Sequence, residues 1–354
     1  MSKCNKMEEY MNFAIIGCGR ISKNHIDALL LNYNMCKLVS VCDIIESRAI
    51  ERKNQYEEKV NEIVNVYSNY KEMLEKENIE CVSILTESGY HAKIALDCLN
   101  AGKHILIEKP MAMTVEDADK INELAKEKCL KVGVCHQNRF NPPIQKLRRA
   151  LEEGRFGKII NVTARILWTR DQNYYNQAPW RGTKELDGGT LMNQCIHNID
   201  LLQWMVGSEI ERVYCEKDTF LRNIEMEDFG AMLIRFKNKT IGIVEGSACV
   251  YPKNLEETLS LFGEKGTVVI GGLAVNKIQT WDFADKREYD DIDDSSDVDN
   301  VYGKGHTPLY KDFIDAVMVN REPYINGQEG RKALNIILTA YKQSEDNYEG
   351  STNI

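Results

Sequence analysis

Three short stretches hold the residue types that do chemistry. Gly17-Cys18-Gly19-Arg20-Ile21-Ser22 follows an apolar run and opens a helical pattern. There Gly17 permits a tight turn, and Gly19 lets the backbone approach a pyrophosphate at the helix N-terminus. Ser22 takes the third glycine's usual place and is small enough for close helix–strand packing. Asp43 closes the second apolar run, where a carboxylate accepts from ribose hydroxyls and repels a 2′-phosphate, which favours NAD over NADP. Its other reading is a cap for the helix that follows. The second stretch is Glu108-Lys109-Pro110, at the carboxyl edge of the fourth of five such runs, where ligands bind in doubly wound sheets. The third runs from Asp187 to Asp200, DGGTLMNQCIHNID. Its glycines start a helix, Asn193 and His197 fall four apart on one face, and Asp200 is placed one turn on to orient the imidazole. A polar face on a helix that ends LLQWMVG marks a site.

These residues need elements to hold them. FAIIG (13–17), KLVSVCD (37–43), CVSILT (81–86), HILIE (104–108) and KVGVCH (131–136) are compact, Val- and Ile-rich runs of the kind buried on both faces. Helical patterns over 22–33, 46–60, 69–77, 91–101 and 114–129 alternate with them, the last capped by Thr114 with Asp117. This rhythm predicts a doubly wound parallel sheet. After a helix over 143–153 the chain turns to polar–apolar alternation in GKIINVTARILWT, IERVYCEKDT, EDFGAMLIRF, TIGIVEGSA, EETLSLFG and GTVVIGG, joined by turns such as KNK and GEKG. Helices are expected over 190–206, 306–320 and 327–345. The fold class is therefore an α/β Rossmann domain followed by an α+β domain with a large, mostly antiparallel open sheet. The boundary is placed at 1–136 and 137–354, with a hinge near 136–142.

Composition bounds the rest. The 354 residues suggest two cores, and no apolar run reaches the length of a membrane span. The lead MSKCNKMEEY lacks a secretory apolar stretch and reads as a loose tail. The 11 cysteines show no C-x-x-C spacing, so neither a zinc nor a redox site is indicated, no metal is expected, and a reducing, cytoplasmic setting is. Net charge is −9, most of it in residues 282–300, whose acid spacing does not match a calcium loop and reads as a solvated loop. No nucleic-acid or membrane partner is indicated.

Together GCGRIS, EKP, WRGT (Trp180 to Thr183) and GG-x-LMNQ-x-x-H-x-x-D resemble the Gfo/Idh/MocA oxidoreductases, across essentially the whole chain from Asn12 onward. Within that family HQNRFNPPIQ, LWTRDQNYYNQAPWRGT, LRNIEMED, YPKNLEETLSLFGEKGTVVIGG and WDF are similar to the UDP-N-acetyl-2-amino-2-deoxy-D-glucuronate 3-dehydrogenases of polysaccharide pathways. The resemblance implies NAD-dependent oxidation of the 3-hydroxyl of that UDP-sugar in surface polysaccharide biosynthesis. Oxidation of another sugar or polyol, such as UDP-N-acetylglucosamine or inositol, is the alternative. A non-catalytic NAD-sensing regulator is disfavoured by the presence of both Lys109 and His197. The resemblance gives the two residues these roles: Lys109 against the substrate hydroxyl, after which comes a cis bond to Pro110, and His197 as general base, with Lys109 the competing proton acceptor. Inositol-dehydrogenase-like members carry Asp where this chain has Asn193, which puts an Asp–His relay in doubt.

Cofactor contacts are then expected from Gly17, Gly19, Arg20, Ile21, Asp43, Thr86, Ser88, His91, Glu108 and Lys109. Gln137, Trp180 and Arg181 complete that set, with Gln137, Asn138 and Arg139 placed where the domains meet. The substrate's diphosphate and carboxylate call for cations, for which Arg139, Arg165 and Arg170 are candidates. Lys109, Asn193 and His197 are its expected reacting-end contacts. Tyr174 and Tyr175 either stack on the uracil or serve as core aromatics. The resemblance also implies a homodimer or homotetramer through the open sheet, and 2-oxoglutarate as an oxidant that recycles NADH.

Overall fold

The computed structural model describes residues 10–298 and 301–350. The expected loose tail through residue 9 lies outside the described residues. Two compact units account for the described residues: one of residues 10–108, 119–135 and 306–327, the other of 109–118, 136–298, 301–305 and 328–350.

The first unit begins with β1 (Met11–Ile16), α1 (Ser22–Leu31), β2 (Cys36–Cys42), α2 (Glu46–Glu57), β3 (Asn65–Tyr67), α3 (Tyr70–Lys76) and β4 (Cys81–Ile84). It continues through α4 (His91–Asn100), β5 (His104–Ile107), α5 (Val115–Glu127) and β6 (Val132–Val134). The six strands pair in parallel in the order β3-β2-β1-β4-β5-β6. Crossing from β3 back through β1 to β4 leaves a switch point beside β1, above which the Gly17 turn lies. The expected strands and helices are present, and Thr114 Oγ1 accepts the Asp117 N–H at 3.1 Å. β3 is absent from the sequence reading because a three-residue, half-exposed edge strand carries no apolar run.

The second unit holds α6 (Pro142–Glu152), β7 (Ile159–Leu167), α7 (Gln172–Asn176), α8 (Thr190–Asn193), α9 (Ile196–Val206), β8 (Ile210–Asp218), β9 (Phe229–Phe236), β10 (Ile241–Ser247), β11 (Glu256–Gly263), β12 (Gly266–Gly271) and β13 (Lys277–Phe283). Its sheet runs β13-β12-β11-β7-β10-β9-β8, antiparallel except for the parallel β7–β10 pair. One face is buried by Val162, Ala164, Ile166, Ile234 and Val244, against which α9 packs.

Closing the chain are α10 (His306–Met318) and α11 (Gly327–Gly350). The single cut at 136/137 is corrected here. α10 belongs to the first unit, where Tyr310 and Phe313 lie 5.6 and 6.4 Å, centroid to centroid, from Phe13 of β1. An amphipathic helix carries no mark in its sequence of which core it will cover. Two further expectations change. The helix over 190–206 is broken between Asn193 and Ile196, giving α8 and α9. The acidic segment is not wholly solvated: Asp290 takes a two-pronged bond from the buried Arg155 guanidinium and a third from the Trp281 indole. The ten described cysteines, Cys18 through Cys249, are unbridged. Among the described residues no helix is long and apolar enough to cross a membrane.

Candidate active site

In the first unit the glycine turn fits a dinucleotide. Gly17 has φ +94°, and a Cβ there would meet the Leu85 carbonyl carbon at 2.6 Å, so only glycine follows β1 so closely past β4. A Cβ on Gly19 would meet nothing within 4 Å, which leaves its side of the turn open to a phosphate. Arg20 and half-exposed Ile21 lead directly into α1. Asp43 ties the turn to the end of β2, accepting the Cys18 N–H at 2.7 Å and the Ile45 N–H at 2.8 Å. A carboxylate offers about four acceptor positions, so a ribose can still be bound. Ile44, missed in the sequence, stands beside it 86 % exposed, an apolar surface suited to a flat base.

Thr86 and Ser88 lie between β4 and α4 and His91 opens α4, with His91 Nε2 3.0 Å from the Thr86 carbonyl. Glu108 is turned inward. Its Oε1 lies 3.0 Å from His25 Nε2, and His25 Nδ1 lies 2.8 Å from the Tyr310 hydroxyl. Burial pushes the Glu108 carboxyl up, but the hydrogen bond from His25 and the His306 imidazole 3.8 Å away outweigh it and hold it well below the usual range. In this arrangement the carboxylate anchors the end of β5 immediately before Lys109.

The second unit assembles the reacting end. The Lys109–Pro110 bond is cis, as the resemblance implies. Lys109 Nζ donates to the Asn193 main-chain carbonyl at 2.9 Å. The Asn193 amide donates to Asp187, and Asn193 Oδ1 accepts from Gln194 Nε2 at 2.9 Å. The turn that carries these groups is fixed by Glu227, whose buried carboxylate accepts the Leu191 N–H at 2.9 Å and the Tyr341 hydroxyl at 2.7 Å. Only Gly189 fits there, since a Cβ would fall 1.8 Å from Glu227. His197 is the one half-exposed residue of α9, every other residue of which is buried. Its ring meets His136 edge-on, centroids 5.7 Å apart. The expected partnership with Asp200 is not formed: both Asp200 oxygens accept from Arg139, at 2.6 and 2.7 Å.

That bond also corrects the substrate assignment of Arg139, which is 1 % exposed and holds Glu329 with its remaining nitrogen at 2.9 Å. Arg165 is corrected too. It projects from β7 on the sheet face opposite α9 and pairs with Glu245 and Glu256. Strand alternation decided this, because neighbouring residues point to opposite faces. Arg170 is the candidate that lies near Tyr174, its guanidinium 5.2 Å from that ring. The Tyr174 hydroxyl also accepts from Arg181 at 2.6 Å and Gln194 at 3.1 Å, while Arg181 covers Trp180 at 4.5 Å. Tyr175 is buried, a core aromatic. Gln137 is buried in this unit.

Glu257, absent from the sequence reading, lies fully enclosed with Asn138 Nδ2 3.4 Å away. Burial pushes its carboxyl up to about 8, against the opposing pull of Arg170 and Asn198. The folded chain thus keeps a proton that the unfolded chain loses near pH 4.5. Stability from this group is full below that pH and is lost as pH rises toward 8. Glu257→Gln is expected to melt higher than the parent chain by a margin that grows as pH rises from 5 to 8.5. A margin equal at pH 5 and 8.5 in thermal melts would show that Glu257 stays ionised.

Comparison with known proteins identifies the family. Residues 11–136 match the oxidoreductase family's NAD-binding Rossmann fold, and residues 144–269 match the GFO/IDH/MocA C-terminal domain. The chain belongs to the Gfo/Idh/MocA oxidoreductase family. Its cofactor is NAD, which when bound accepts the hydride of the substrate carbon. This Gfo/Idh/MocA chain is 36 % identical to the WlbA dehydrogenase of Bordetella pertussis, solved with NADH and UDP-GlcNAcA, covering 96 % of this chain and 98 % of that one with a TM-score of 0.86. It is 25 % identical to the myo-inositol 2-dehydrogenase of Thermotoga maritima over 95 % of this chain and 97 % of that one. The scyllo-inositol 2-dehydrogenase (NAD(+)) of Bacillus subtilis is 29 % identical over 75 % of each.

Proposed function

We propose that this oxidoreductase converts the 3-hydroxyl of UDP-N-acetyl-2-amino-2-deoxy-D-glucuronate to the 3-keto sugar, in the cytoplasm, for surface polysaccharide biosynthesis. The full-length likeness to WlbA carries this reading. In it Lys109 bears on the hydroxyl and His197 takes its proton; the two belong to one unit and Lys109 is fixed on the turn just before the helix of His197. Arg170, stacked near Tyr174, suits the anionic part of the nucleotide. Gln137, Trp180 and Arg181 are proposed to serve the nicotinamide half.

The inositol dehydrogenases among the relatives favour a second reading, oxidation of a polyol. NADH absorbance is followed with NAD and UDP-GlcNAcA, UDP-GlcNAc or inositol in parallel, with 2-oxoglutarate included as an oxidant for tightly held NADH. Turnover with the uronate is expected, and turnover with inositol alone overturns the assignment.

A dimer or tetramer is proposed as well. Tyr214, Leu233 and Ile243, aligned across β8, β9 and β10, lie on the sheet face away from α9, and each is 39 % or more exposed. A row of that kind is suited to burial by a second copy. A monomer on sizing at micromolar concentration refutes it.

A further inference from the structure

Asp187 has no part in the function proposed above, yet its surroundings bind it to the reacting end. It is 3 % exposed. One carboxylate oxygen accepts the Gly182 N–H at 2.6 Å and the other accepts the Asn193 amide. Asn193 is therefore gripped from two sides, by Asp187 on its side chain and by Lys109 on its carbonyl. Asp187 and Asn193 line a small cavity with Tyr175, Thr190, Gln194 and Glu227. The charged and titratable groups that bear on the carboxylate are the cations Lys109 and Arg181, with the Tyr175 phenol nearby and Glu227 across the cavity. Burial pushes the Asp187 carboxyl up to about 6, against the pull of the Gly182 N–H and the two cations. It is thus ionised at neutral pH.

We propose that Asp187 is a positioning residue of this centre, holding Asn193 in place and supplying the counter-charge to the Lys109 ammonium. The inference rests on the reading of Lys109 as the group that bears on the substrate hydroxyl. Two cations share this corner, and an anion beside an ammonium favours the charged form. An ammonium stabilises the negative charge developing on a hydroxyl oxygen as its proton leaves, which a neutral amine does far less.

Asp187→Asn keeps the shape and an acceptor for the Gly182 N–H but removes the charge. Trace acetylation with acetic anhydride at pH 8, read at Lys109 by mass spectrometry against exposed Lys184, reports how much of the amine is neutral. About a tenfold faster Lys109 labelling is expected in the variant. In steady-state assays kcat is expected to fall about tenfold or more with KM nearly unchanged, a split that a loosened substrate site would not give. Faster labelling together with the fall in kcat supports the proposal. Unchanged labelling, or unchanged kcat, overturns it. If no sugar or polyol turns over even with the parent chain, the oxidation reading fails by itself, and the labelling ratio still decides the pairing. Should Asp187→Asn fail to fold, Asp187→Ser, with a hydroxyl acceptor, provides the same comparison.

Discussion

His197→Asn is expected to lower kcat by roughly a thousandfold while leaving NAD affinity unchanged, because general-base catalysis contributes about 10²–10⁴. The reason lies in how α9 is buried. Ten of its eleven residues pack inward, and His197 alone stays half-exposed at the first turn. Asparagine preserves size and a hydrogen bond but has no titratable nitrogen. His197 is not among the residues assigned to the dinucleotide, so dinucleotide binding, measured by fluorescence quenching, should be untouched. Activity in the variant close to that of the parent chain would assign the base to Lys109 instead. The pH profile of kcat/KM separates the two again, since it reports the titrating groups of the free enzyme.

The second large effect is on stability. Asp200→Ala should destabilise the second unit by about 3–5 kcal/mol, the cost of leaving a buried charge without its partner. Arg139 is fully enclosed between Asp200, Glu329 and the Trp204 ring, whose centroid lies 4.9 Å from the guanidinium carbon. Removing Asp200 strands two of its nitrogens where no water reaches. Burial pushes the Asp200 carboxyl up, but Arg139 and then His136 outweigh it, so its net position is below the usual range. Its contribution is thus full above the ordinary carboxylate range and is lost as pH falls through the lowered folded value. A fall of roughly 10 °C in the melting transition is expected near neutral pH. Arg139→Met with Asp200→Leu should recover much of the loss, because apolar replacements leave no orphaned charge. A single variant that melts with the parent chain would mean that Glu329 alone neutralises Arg139. Had Asp200 oriented His197 instead, the same change would alter the pH profile more than the melt.

Much of this was legible in the residues. Alternating apolar runs and helices gave the parallel sheet, since strands covered on both faces must be apolar throughout. The Gly17 turn, Asp43 and Lys109 were legible because each sits at the end of such a run, and His197 because it falls four residues after Asn193 on a helix opened by two glycines. The short β3, the break between α8 and α9, and the unit to which α10 belongs were not, because each depends on contacts with distant segments. Arg139 and Arg165 show the limit most clearly. A guanidinium has the same chemistry on a substrate phosphate, in a buried pair with Asp200, or on an open sheet face beside Glu245.

By itself, then, the sequence determined the nucleotide turn and the preference for NAD, since local spacing and side-chain chemistry suffice for those, while the roles proposed for Lys109 and His197 come from the family resemblance. Only the tertiary structure decided which partner each buried carboxylate takes. Asp200 goes to Arg139, Glu108 to His25 and Asp187 to Asn193 near Lys109. A buried charge must find its partner, and folding brings together residues far apart in the chain to provide it.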